Sequence, residues 1–190
     1  MARLEDLTFD ELNPEQRSVI EAINAGPRGG GGRVGLIGPY GVWVRAPKVG
    51  MAIQALGGAA RFDTSLPEAV KEIGICVVGA KHKAKFEFAA HARLAARAGI
   101  DADAIEAIRT GDQPRLEGDQ AVAHSVARQL MEDHRLKEET YREAVALWGE
   151  SGIIELVSII GYYVLVSLTL NAFEVPLVDG MSDPFPEIDA

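Results

Sequence analysis

Residues 66–99 read LPEAVKEIGICVVGAKHKAKFEFAAHARLAARAG, and this stretch decides the fold class. Leu66-Pro67-Glu68 opens a helix that continues through Ile73, Cys76, Val77 and Ala80, with Ser65 as cap and Glu68 placed to close a capping box. A second helix is expected over 84–98, with Gly99 as its C-cap. Helical spacing persists on both sides. Toward the N-terminus, Asn13 caps and Pro14 opens a helix with Val19, Ile20 and Ile23 inward, ending at Gly26-Pro27. Another is expected over 47–61, with Val49, Ile53, Leu56 and Ala60 on one face. Toward the C-terminus, Asp101 caps a helix over 102–109 that stops at Gly111, and Asp119 caps one with Val122, Val126, Leu130 and Met131 inward. Segments 138–148 and 153–170 complete the set. No region alternates with period two, so the expected fold is all-α, a bundle of about eight helices.

The chain has 190 residues, 47% hydrophobic and 25% charged, enough to bury a core without disulfides or a structural metal. Its formal charge of −9 disfavours nucleic acid and anionic membranes as partners. The first twelve residues, MARLEDLTFDEL, hold four carboxylates where a signal peptide has basic and apolar residues, which leads to a cytoplasmic expectation. Segment 153–170 contains Glu155 as its only charge and is long enough to span a bilayer, yet no Lys or Arg follows Arg142 to anchor a span. It therefore reads as a central helix covered by neighbours or by a second subunit. Pro176, Pro184 and Pro186 mark a tail expected to reach toward a partner chain.

From Gly26 to Gly41, eight of the 20 glycines fall within 16 residues together with Pro27 and Pro39, so no regular structure is expected there. Gly30, Gly32 and Gly35 satisfy G-x-G-x-x-G, but a helix precedes them, Pro39 follows, and no Asp or Glu occurs between Glu21 and Asp63. A dinucleotide fingerprint is thereby excluded. The same stretch ends in Tyr40 and Trp43, which either anchor the loop or line a cavity.

Glu87 and His91 lie four apart on one helix face, where a carboxylate can orient an imidazole for acid and base work; a surface ion pair or a satisfied core histidine has the same spacing. Lys81, Lys83 and Lys85 cluster just upstream, either drawing in a small carboxylate or standing as a solvated turn. Cys76 sits mid-helix among Ile75, Val77 and Val78, where a thiol is buried and inert.

Leu66-Pro67-Glu68 with Lys71-Glu72, then Phe86-Glu87-Phe88-Ala89-Ala90-His91, Arg97-Ala98-Gly99-Ile100, Glu155-Leu156-Val157, Gly161-Tyr162-Tyr163 and Leu170-Asn171-Ala172-Phe173 resemble the carboxymuconolactone decarboxylase family of the AhpD-like superfamily. The resemblance implies a single domain over 1–190: an N-terminal helix and glycine-rich segment at 1–37, a family core at 38–175 and an extended tail at 176–190. In the peroxidase branch a relay glutamate is followed twelve residues later by the first cysteine of a C-x-x-C pair, and a histidine lies four residues after the second. Those positions fall here on Glu72, Ala84, Glu87 and His91, so both sulfurs are absent and thiol peroxidase chemistry is excluded. The decarboxylase branch implies a lyase of aromatic catabolism acting on a small anionic substrate without metal or organic cofactor. It would cast His91 as general acid, Glu87 as its partner and Glu72 as a relay, with Tyr40 and Trp43 walling the pocket and Arg45 holding a substrate carboxylate. It further implies a homotrimer or hexamer. A non-catalytic or ligand-sensing protein with a buried Glu72, Glu87 and His91 network is the competing expectation.

Overall fold

In the computed structural model, which describes residues 2–29 and 34–189, eight α-helices and three short 3-10 turns account for the regular structure, with no strand among those residues. Gly30 and Gly32, with the rest of 30–33, lie outside the described residues. Helix α1 is Pro14–Ala25, α2 Pro39–Trp43, α3 Pro47–Phe62, α4 Glu68–Lys81, α5 Lys85–Arg97, α6 Ala102–Thr110, α7 Gly118–Glu132 and α8 Glu138–Ala172.

Helix α4 is the axis of the bundle. All eleven residues from Val70 to Ala80 are buried, because α5, α6, α7 and α8 pack around it. Burying a side chain such as Ile73 or Val78 contributes about 1.5–3 kcal/mol, so α4 is where the core is hardest to open. A smaller core of Val19, Ile20, Ile23, Leu12 and Val44 holds α1 down. Asn13 caps α1 as expected, its side chain accepting the Gln16 N–H at 2.9 Å while Gln16 returns a bond to the Asn13 N–H.

Several local expectations are corrected. The glycine-rich stretch is not wholly irregular: Pro27–Gly29 forms a 3-10 turn, and Pro39 starts the short helix α2, its ring presetting the first helical φ. Ser65 does not cap α4. Its N–H and hydroxyl both bind Glu155, at 2.9 and 2.8 Å, and Glu68 turns to Arg61 and Lys71. Helix α7 begins at Gly118, so Asp119 lies inside it, and His124, Val126 and Gln129 take the inner face. Segments 138–148 and 153–170 form one run, α8, broken at Gly149 with φ at 69°, a conformation a side chain would strain.

Helix α3 is rotated from its expected register. Val49 and Leu56 are exposed, and the buried face is Gly50, Gly57, Ala60 and Arg61. A Cβ on Gly57 would strike the Tyr162 hydroxyl and the Arg28 guanidinium, so the missing side chain is what allows α3 and α8 to approach. That rotation carries Arg61 into the core.

The tail is also corrected. It returns to its own chain: Phe185 is fully buried and lies 5.3 Å from the Phe88 ring, Asp183 accepts from Lys85 at 2.7 Å, and the Pro184 carbonyl accepts from Arg109 at 2.8 Å.

Candidate active site

Glu72 projects from the middle of α4 with no solvent exposure, and its two oxygens are divided between two partners. Oε1 meets the Arg61 guanidinium from the last turn of α3, and Oε2 lies 2.7 Å from Nδ1 of His91 on α5. A carboxylate in this position accepts, so Nδ1 carries the proton and Nε2 is left as the working nitrogen. The His91 side chain is 12% exposed. Tyr163 on α8 meets its ring edge-to-face at 4.8 Å and fixes the ring plane.

Arg61 is itself held. It pairs with Glu68 as well as Glu72, while Lys71 donates to the Arg61 carbonyl and to Glu68, both at 3.0 Å. Burial would lower the Arg61 pKa, but Glu68 and Glu72 outweigh it and raise it. Burial pushes the Glu68 carboxyl up, and hydrogen bonds from Arg61 and Lys71 overcome this and hold it at about 2. The Glu68 contribution to stability is therefore present above its ordinary value of 4.5 and is lost as pH falls toward 2.

Glu87 is not the partner of His91. Its Oε1 accepts from the Ser167 hydroxyl on α8 at 2.7 Å, and its buried Oε2 has no hydrogen-bond partner among the described residues. Burial pushes this carboxyl well above its ordinary range, against the opposing Ser167 bond. Because the folded value is raised, stability is fully present below about pH 4.5 and is lost as pH rises through the folded value. Glu87→Gln keeps the Ser167 acceptor and removes the ionisable proton. Its melting temperature is expected to match the parent near pH 5 and to exceed it increasingly toward pH 9, and a pH-independent difference would contradict the burial argument. Burial likewise raises the Cys76 thiol, and the charges of Glu72 and Glu87 raise it further, so no thiolate forms there.

The expected substrate-binding residues lie apart from this centre. Tyr40 meets Trp43 edge-on at 5.7 Å on α2, Trp43 lies 6.4 Å from Tyr162, and Tyr162 lies 5.2 Å from Tyr163. An unbroken file of rings thus runs from α2 to His91, with Trp43 the third ring from the histidine and Tyr40 the fourth. Arg45 donates to the Gly41 carbonyl at 3.1 Å and to the Glu5 carbonyl, tying the N-terminal segment to α2.

The sequence matches no protein-family model and no curated protein. The solved structures do match. A protein from Ralstonia eutropha JMP134, described as an uncharacterized peroxidase-related protein with an alkylhydroperoxidase AhpD core, superposes with a TM-score of 0.75 at 13% identity, over 94% of this chain and 93% of that one. The fold is AhpD-like. The debrominase Bmp8 shares it, with a TM-score of 0.67 at 14% identity over 96% and 94% of the two chains. A cysteine-to-alanine variant of that debrominase, in complex with 2,3,4-tribromopyrrole, gives 0.66 at 13%.

Within this AhpD-like fold, Ala84 is fully buried at the start of α5 and Glu87 faces Ser167, so the positions that the sequence resemblance assigns to two sulfurs hold a methyl group and a buried acid. Arg61, Tyr163 and Ser167 were not anticipated. Arg61 is the only charged residue of α3 after Lys48, and its spacing of four from Gly57 was the available signal that it shares the glycine face.

Proposed function

We propose that the chain is a cofactor-independent lyase that decarboxylates a small carboxylated lactone or related unsaturated acid by proton transfer at His91. One observation carries the reading: a fully buried carboxylate, Glu72, is shared between Arg61 and His91 Nδ1. Such an arrangement holds the ring through its Nδ1 and leaves Nε2 to exchange a proton with a bound substrate. The C–C bond to the substrate carboxylate breaks, CO2 leaves, and the electron pair delocalises over the unsaturated ring. His91 Nε2, protonated from water before the bond breaks, delivers that proton to the carbon, which leaves the neutral ring with its proton on Nδ1 until water protonates Nε2 again. Arg61 keeps Glu72 from following the proton. Known AhpD-like structures include a debrominase seen with a brominated pyrrole, which supports a small unsaturated ring as the substrate class.

A non-catalytic network is the second reading, favoured by the complete burial of Glu72 and the slight exposure of His91. The two are separated by incubating the protein in D2O with a panel of unsaturated lactone and ring carboxylic acids. The lyase reading expects CO2 release with one deuterium at the carbon that lost it, and release no faster than with His91→Gln overturns it.

We also propose self-association through the faces of α3 and α8. Val49, Leu56 and Phe62 on α3 and Ile154, Val157 and Leu168 on α8 are exposed, Ile154 to 64%. Helix α8 is long and apolar enough to cross a membrane, and half of its apolar window is already buried within this chain. Further copies would cover the remainder, in a trimer or hexamer. Light scattering is expected to return a multiple of 20.4 kDa, and Ile154→Glu with Leu168→Glu should shift it to the monomer. A monomer of the unmodified chain at micromolar concentrations would refute the assembly.

A further inference from the structure

A cleft of about 580 Å³ opens between the end of α4, the turn after α6 and the outer half of α7. None of Arg61, Glu72 and His91 lines it. Its volume falls within the range of small-molecule sites. Val77, Ala80, Ile108 and Met131 give it apolar walls, and its rim carries Lys81, Lys83, Arg109 and Arg128 against Asp112 and Glu132. That cationic excess is local in a chain whose formal charge is −9.

The hydrogen-bonding groups facing the cleft are unequally committed. Arg109 is engaged by Glu106 and the Pro184 carbonyl, Arg128 by Glu132 at 2.7 Å, and Asp112 by the Thr110 hydroxyl at 2.7 Å. Lys83 lies 4.6 Å from the centre of the Phe185 ring and 3.6 Å from Glu187. Lys81 makes no ion pair among the described residues. His124 is 6% exposed, lines the cleft, and makes no hydrogen bond to the protein among those residues. Its ring nitrogens are not among the polar atoms sealed from solvent without a partner, so they stay accessible to a group bound in the cleft. Burial, and then the Arg128 charge, push its pKa down, so the ring is neutral near pH 7 and offers one N–H. The uncommitted groups are thus an ammonium and an imidazole over an apolar floor.

We propose that this cleft binds a small apolar molecule bearing a carboxylate, which accepts from Lys81 and His124 while its body lies against Val77 and Met131. The apolar walls favour an organic acid over inorganic phosphate. The cluster at Lys81 and Lys83 thereby gains a role separate from His91, and the site stands independently of the proton-transfer reading. Helix α4 carries both Glu72 and Lys81, so one rigid element joins the two centres.

The test is an NMR titration of the full chain with benzoate, benzyl alcohol and inorganic phosphate as probes, reading the His124 ring resonances identified by their loss in His124→Gln. Benzoate is expected to shift them saturably and to raise the His124 titration midpoint, because a negative charge beside the ring favours imidazolium. Phosphate and benzyl alcohol should bind about tenfold more weakly, and Lys81→Gln should weaken benzoate about tenfold, the loss of one charge-assisted hydrogen bond. His91→Gln should leave benzoate binding unchanged. Shifts that do not saturate, that are equal for all three probes, or that survive Lys81→Gln overturn the proposal. So do shifts that follow protein concentration in the absence of benzoate, which would make the cleft an interface between copies. Benzoate binding that spares His124 and is lost in His91→Gln overturns this site while supporting the first.

Discussion

Glu72→Ala is expected to destabilise the chain by about 3–5 kcal/mol, the cost of breaking a buried ion pair by removing one partner. Arg61 would remain a buried cation, with the half-exposed Glu68 as its only carboxylate, and His91 Nδ1–H would lose its acceptor. The measurement is denaturant unfolding of Glu72→Ala, and of Glu72→Leu, Arg61→Leu and the double variant Arg61→Leu/Glu72→Leu as a closed cycle. Each single change strands one charge of the Arg61–Glu72 pair in the core, whereas the double change removes both, so the double variant should recover much of the loss. Additive losses would show that the pair does not act as a unit. Recovered stability without recovered turnover is the expected split, since leucine packs but cannot hold an imidazole.

His91→Gln is expected to reduce kcat for the identified acid by about 10²–10⁴, the usual worth of a positioned general acid, with little change in melting temperature. Glutamine can keep a donor toward Glu72, so the buried carboxylate stays satisfied and only the titrating nitrogen is lost. The loss should fall on kcat more than on KM, because the proton is delivered in the transition state rather than in the ground state. A variant that retains turnover would return His91 to a structural role. One that unfolds would show that the Tyr163 contact, at 4.8 Å, carries the packing.

Helix identity was legible wherever one face had to be apolar and one end had to be capped. Asn13 and Asp101 cap as their positions demand, because a short side chain beside free N–H groups has one rewarding conformation. Ser65 had the same local credentials and took a different partner, Glu155, ninety residues away and invisible to local spacing. The Glu72 and His91 contact was readable only in part. Nineteen residues separate them, and the resemblance marked both as relay positions, yet the i, i+4 rule pointed to Glu87 instead. That rule states which side chains can meet on one helix, and the core on the other side of α5 decided otherwise by offering Ser167. Arg61 was hidden because apolar periodicity expects the larger side chains of α3 inside. Close approach to Tyr162 selected the glycines, turned Val49 and Leu56 outward and took the arginine inward.

The strap formed by the C-terminal tail bears on durability rather than on catalysis. Phe185 lodges against Phe88, three residues before His91, while Arg3 near the other end donates to Glu174 at 2.9 Å and to the Ala172 carbonyl at 3.0 Å. Both segments are thus fastened against helices that carry the candidate site, α5 and the end of α8. Termini are ordinarily the first places where a chain frays and where proteases gain entry. Here cleavage at Phe185 waits until that ring leaves its seat, so resistance of this segment to an endoprotease reports directly on how often α5 is uncovered.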